Sequence, residues 1–99
     1  MLEVLFSSPF TGVSVINHPD QGEVFIVDDD TMEKLDTISY EAYYFTCKDL
    51  LQRIIAAIVK VYKGIAFPQF RQRAIAYFIQ SDYCKELVEE IKKEEEDYR

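Results

Sequence analysis

Tryptophan is absent from this sequence, asparagine and histidine occur once each, and cysteine only twice. A lone histidine needs carboxylate partners before it can serve as a metal ligand or a general base. The two cysteines are far apart, with no CxxC spacing for zinc or redox chemistry. Three glycines and three prolines in 99 residues, against 48% apolar residues, mark a chain that folds rather than one that stays disordered. No apolar run approaches the ~18 residues of a membrane span. No basic region precedes the short N-terminal apolar stretch, so a signal peptide is not expected either, and the expected location is intracellular without a membrane contact. The length suits one domain over residues 1–99, burying roughly 60–65% of the unfolded surface. It leaves no room for a cofactor domain beside a substrate domain, and no cofactor is expected.

Charge is present in quantity, and its placement says more than its sum. The net charge is −7, which opposes general affinity for nucleic acid or anionic membrane. Residues 1–47 and 75–99 are both acidic. Between them Lys48, Arg53, Lys60, Lys63, Arg71 and Arg73 face a single acid, Asp49. Such a basic middle is either paired internally on a mixed surface or forms one face for a polyanion or an acidic partner. Arg53, Lys60, Lys63, Arg71 and Arg73 are the candidate polyanion-binding residues. No helix-turn-helix spacing, RNP-like motif or zinc-finger pattern accompanies them.

The first half reads as β. Residues 2–6 (LEVLF) form a short apolar run, and residues 12–17 set Val13 and Val15 against Ser14 and Ile16. The segment 17–22 (NHPDQG) is dense in turn formers, and 23–27 (EVFIV) resumes the β pattern, which predicts an antiparallel hairpin. After Asp28-Asp29-Asp30, the spacing of Asp30 and Glu33 predicts a short helical turn over 31–36. Residues 37–46 (TISYEAYYFT) are β-branched and aromatic, which predicts a further strand. On that strand Tyr43 and Phe45 share a face opposite to Tyr40 and Tyr44. Tyr43 and Phe45 are therefore candidate partner-binding residues, and a second copy of the chain, giving a homodimer through the sheet, is one candidate partner. The plainer alternative leaves Tyr43 at the surface with its hydroxyl in water.

The second half reads as helix. Thr46 with Asp49 makes a capping-box variant, and Leu50, Leu51, Ile54, Ile55, Ile58, Val61 and Tyr62 recur at a period of 3.6. Gly64 stands where a left-handed residue ends a helix, and Pro68 where a new one begins. From there Phe67, Phe70, Ala74, Tyr77, Ser81, Cys84, Val88 and Ile91 keep a 3-4 spacing that predicts a core stripe. Whether this is one helix, or two with Ser81 or Asp82 capping the second, is open. The acidic run 94–97 opposes the helix dipole at that end.

Few residues carry chemistry. His18 with Asp28, Asp29 and Asp30 is the one constellation that resembles a hard-cation site, but each residue has a turn or cap role as well. Cys47 sits at a helix start, where the dipole lowers a thiol pKa, and Cys84 falls on the apolar stripe. They read as buried free thiols or, in an oxidising compartment or a hyperthermophile cytosol, as a disulfide.

Ile, Val, Tyr, Arg, Glu and Leu make up nearly half of the chain, with Glu-Lys mixtures such as residues 89–94 (EEIKKE). This bias resembles hyperthermophile usage, in which surface ion pairs are favoured. The composition is similar to that of the small proteins of hyperthermophilic archaeal filamentous and rod-shaped viruses. That resemblance implies life inside a host and binding to host proteins, and it assigns no functional residue.

The expected fold is α+β, an antiparallel sheet from residues 1–46 packed by two or three helices from 47–97. The expected function is that of a small acidic, non-enzymatic interaction protein, a viral accessory factor binding a host protein. The alternative is a nucleic-acid-binding regulator using the basic segment 48–74. A metal-dependent hydrolase built on His18 and the aspartates is the third class.

Overall fold

A computed structural model describes residues 1–41, 45–64 and 67–97. Its N-terminal half is an antiparallel meander of β1 (Glu3–Ser7), β2 (Val13–His18), β3 (Glu23–Asp28) and β4 (Lys34–Ser39), paired in that order. Its C-terminal half is helical, with α1 (Cys47–Val61), α2 (Pro68–Ile79) and α3 (Asp82–Glu96). The fold is α+β, as the two halves of the sequence imply.

The hairpin of β2 and β3 forms where the turn chemistry places it. Val13 pairs with Asp28 and His18 with Glu23, and the loop between them turns through Gly22 at φ +63°. Val13, Val15, Val24 and Ile26 project to the inner face and are fully or almost fully buried. Two irregularities help this face. The register shifts between Val4 and Phe6 and between Ile26 and Val27, so that Leu5 and Leu35 are the extra residues, and both leucines pack against the core.

The helical turn expected over 31–36 does not form. Asp28 carries out the turn itself: its carboxylate accepts from the Asp30 and Thr31 amides at 2.8 and 3.3 Å. Met32 then takes φ 60°, and the chain enters β4 at Lys34. Pairing with β3 satisfies a full row of backbone groups, which outweighs one capping-box spacing. The strand expected over 37–46 is accordingly displaced, ending at Ser39. Tyr40 lies in the following turn and donates its amide to Gly22. Its ring meets Phe45 edge-on at 5.9 Å, so these two do not occupy opposite faces of a strand.

α1 crosses the inner face against β2, β3 and β4, with α2 and α3 beside it. Its N-terminus is capped as its sequence indicates, Thr46 Oγ1 accepting the Asp49 amide at 3.0 Å. Leu50, Ile54, Ala57 and Ile58 form its buried stripe. α2 starts at Pro68, whose missing N–H costs nothing at a first helical position. The open question in the last segment resolves as a break: Gln80 closes α2, and Ser81 caps α3 by accepting the Cys84 amide at 3.2 Å.

Within α2 the core face is Ala74 and Phe78, while Phe70 and Tyr77 of the expected stripe stay exposed. The break then resets the helical phase, so that Cys84 and Leu87 of α3 enter the core and Val88 stays exposed. Phe78 meets Phe6 of β1 edge-on at 5.3 Å, and Phe6 stacks on Tyr83 at 6.0 Å. Phe25 and Val27 point to the outer face of the sheet and are nevertheless buried. Cover for Phe25 comes from within the chain: the Lys34 ammonium lies 3.9 Å above its ring, and the His18 ring is 5.8 Å away.

Candidate functional site: an aromatic groove beside the first loop

The loop between β1 and β2 is short, and almost every residue in it is fastened. Ser8 Oγ accepts the Phe10 amide at 3.1 Å. The fully buried Thr11 hydroxyl donates to the Val13 carbonyl at 3.1 Å. Gly12, at φ +73°, brings the loop so close to α1 that a Cβ would stand 3.0 Å from Val61 Cγ1. From the last turn of α1, Tyr62 Oη donates to the Phe10 carbonyl at 2.9 Å. Pro9 and Phe10 are thereby pinned beside α2, and a groove of about 670 Å³ opens between them.

Pro9, Phe10, Tyr62, Phe70, Ala76 and Tyr77 form most of this groove, with Arg73 and Gln80 as its polar members. Phe10 and Tyr77 are in contact within its lining, their centroids 4.8 Å apart with a 49° tilt. Phe10 remains 58% exposed, and Phe70 and Tyr77 45% each. Rings that are this accessible, yet held by a hydrogen-bonded loop and a helix, are preorganised to cover an apolar ligand. Arg73 is exposed and has no acidic partner among the described residues.

The five candidate basic residues do not gather on one face. Arg53 pairs with Asp49 at 3.0 Å and Asp36 at 3.2 Å, so its charge is answered inside the chain. Lys60 lies beside Leu35, Asp36 and Arg53, away from the groove. Arg71 and Arg73 are two residues apart on one helix and therefore point in widely different directions. Lys63 is exposed just past the end of α1. Of the five, only Arg73 lines the groove.

The other candidates are placed as follows. Phe45 is half-buried and packs against the core, and Tyr43 lies outside the described residues. His18 and the Asp28–Asp30 run stand at opposite ends of the β2–β3 hairpin, roughly 16 Å apart at ~3.3 Å per residue, so they do not form one constellation. Among the described residues, no three His, Cys, Asp or Glu side chains are grouped to hold a metal ion. No helix among them is long and apolar enough to cross a membrane.

Cys47 and Cys84 are both free thiols. The dipole does not lower the Cys47 pKa as its position suggests. Burial pushes it up to about 11, helped by a hydrogen bond to Glu94 and the charges of Glu94 and Glu90. Glu94 reaches back from α3 and accepts the Cys47 backbone amide at 2.8 Å, so a carboxylate already occupies the helix N-terminus. Burial likewise raises the Tyr83 phenol well above its ordinary value. Both shifts favour the protonated, less nucleophilic form near neutral pH.

The groove was not visible in the sequence because Phe70 and Tyr77 fit a core stripe. One signal pointed the other way: Arg71, Gln72, Arg73 and Gln80 leave α2 weakly amphipathic, with its exposed face as aromatic as its buried one. No protein-family model, curated protein or solved structure matches the chain.

Proposed function

We propose that the chain is a non-enzymatic interaction protein that captures a segment of another protein in the aromatic groove of Pro9, Phe10, Tyr62, Phe70 and Tyr77. The observation that carries this reading is a set of half-exposed aromatic rings, those of Phe70 and Tyr77 carried by α2 and that of Phe10 on a loop fastened by the Tyr62–Phe10 hydrogen bond and the buried Thr11 hydroxyl. Accessible aromatics concentrated in one concave place are characteristic of binding surfaces rather than of scattered apolar exposure. The compositional resemblance to small viral proteins supports placing the partner in a host cell.

The groove is a candidate for the partner-binding role in addition to Tyr43 and Phe45. The test is a random-peptide display selection against the intact protein and against Tyr77→Ala. Peptides enriched on the unmodified chain and lost on Tyr77→Ala support the reading. Enrichment indifferent to both Tyr77→Ala and Phe70→Ala overturns it.

A nucleic-acid reading keeps one favourable observation, an arginine beside aromatic faces on which bases could stack. It predicts oligonucleotide binding that weakens steeply between 50 and 200 mM salt, since phosphate contacts release counterions. A second copy of the chain is a further partner of the protein class. Light scattering at 100 µM protein separates it from a foreign one, a monomer excluding self-association.

A further inference from the structure

The aromatic groove does not end at Tyr77. A second groove of about 460 Å³ shares Pro9, Tyr77 and Gln80 with it and continues past Ser7, Ser8 and Ser81 to Asp82. The two make one trough, apolar at the α2 end and polar at the α2–α3 junction. Arg73 belongs to the first part and Asp82 to the second. Neither charge is answered by a salt bridge among the described residues.

We infer that the trough takes an extended peptide with an apolar, proline-bearing centre, a carboxylate side chain toward Arg73 and a cationic side chain toward Asp82. This rests on the reading of the groove as a protein-docking site and adds to it the chemistry of the docked segment. Flat, tilted rings such as Phe10 and Tyr77 accept proline and branched aliphatic side chains, which lose little entropy on binding in an extended form. Gln80, at the middle of the trough, carries both an amide donor and an acceptor for the peptide backbone.

The spacing follows from the helix. Arg73 and Gln80 are seven residues apart along α2 and its cap, or about 10 Å at 1.5 Å per residue, and Asp82 follows two residues later at the start of α3. An extended or polyproline chain advances ~3.1–3.3 Å per residue, so the two peptide charges fall about four positions apart. The opposite signs at the two ends also decide between ligand classes. A nucleic acid strand carries negative charge throughout its length and would bring phosphate against Asp82, whereas a peptide matches both ends.

The experiment uses fluorescence anisotropy of the intact protein with four labelled probes. Two are peptides with the core Asp-Pro-Leu-Pro-Lys and its reversal Lys-Pro-Leu-Pro-Asp, which cover both chain directions. The third is the neutral Ala-Pro-Leu-Pro-Ala peptide and the fourth an oligothymidylate. One charged peptide is expected to bind about fivefold tighter than the neutral one, the modest gain of partly exposed ion pairs. The exchange variant Arg73→Glu with Asp82→Lys should prefer the reversed peptide. Arg73→Glu alone, which leaves the cap of α3 untouched, should abolish the preference of the unmodified chain.

Equal binding of charged and neutral peptides, sensitive to Tyr77→Ala, would overturn the inference and leave the groove reading standing. Binding of oligothymidylate with no peptide binding would overturn both. Failure of all four probes would overturn the inference, with the display selection then deciding the groove reading separately.

Discussion

The two ends of α1 use similar side chains to opposite effect. At its N-terminus, polar and aromatic groups are taken up by the chain: Thr46 caps the helix, Glu94 of α3 accepts the Cys47 amide, and the half-buried Tyr83 packs on Phe6. At its C-terminus, Tyr62 donates its hydroxyl to the β1–β2 loop, and the rings around it remain open to solvent. The first end joins α3 to α1 and closes the molecule. The second holds a loop at a fixed distance from α2 and leaves a groove. Whether an aromatic ring stabilises a protein or serves a partner is set by what its neighbours leave uncovered, not by its type.

Phe78 and Tyr77, adjacent on α2, give the sharpest contrast. Phe78 is fully buried, and Phe78→Ala should cost about 3–5 kcal/mol of unfolding free energy through lost transfer energy and the cavity left behind. Tyr77→Ala should cost only about 1 kcal/mol, since nearly half of the residue is in solvent and its main loss is the contact with Phe10, while abolishing peptide binding. Urea denaturation of the two variants checks this, and equal losses would break the contrast.

The caps come next in size. Thr46→Ala and Ser81→Ala should each destabilise by about 1 kcal/mol, because each leaves a helix-end amide without its acceptor. Tyr62→Phe removes the hydroxyl from the Phe10 carbonyl at the groove and should cost roughly 0.5–1.5 kcal/mol. Its larger effect should be on peptide affinity, since the loop loses its anchor. Thermal melts and anisotropy on the same preparations separate the two.

The last effect is confined to alkaline solution. The folded Cys47 pKa is raised to about 11 from the usual value near 9, so the thiol holds its proton more tightly when folded. The stability it contributes is complete below pH 9 and is lost as the pH rises through about 11. Cys47→Ser should therefore flatten the decline of the urea midpoint between pH 9 and 11. At pH 8 iodoacetamide should alkylate Cys47 far more slowly than a free thiol in solution.

Much of the architecture is legible in the sequence for local reasons. The β2–β3 hairpin rests on alternation around a Pro/Gly turn, α1 on a 3.6 period behind a Thr46 cap, and the start of α2 on Pro68. Each signal is contained within a few residues. The 31–36 segment misled because its capping-box spacing is local too, whereas the pairing of Lys34–Ser39 with β3 is a cross-strand preference that no window of the segment contains. The candidate site was illegible for a related reason. Phe70 and Tyr77 keep a core-like spacing with Ala74 inside α2 itself, but the packed face of that helix is turned toward Ala74 and Phe78, a choice made only when α2 docks against α1 and Phe6.

Composition, period and turn chemistry thus settle an α+β chain with a β half and a helical half, because propensity, capping and burial period act over a turn or a strand. The tertiary structure alone decides which aromatics are buried and which charges are answered. Phe78 is covered by Phe6, a residue more than seventy positions away, while Tyr77 meets Phe10 at the rim of a groove. Arg53 finds Asp36 across the α1–β4 contact, and Arg73 finds no acid within reach among the described residues. Burial and ion pairing depend on distances between segments remote in the chain, and those distances exist only once the sheet and helices have packed.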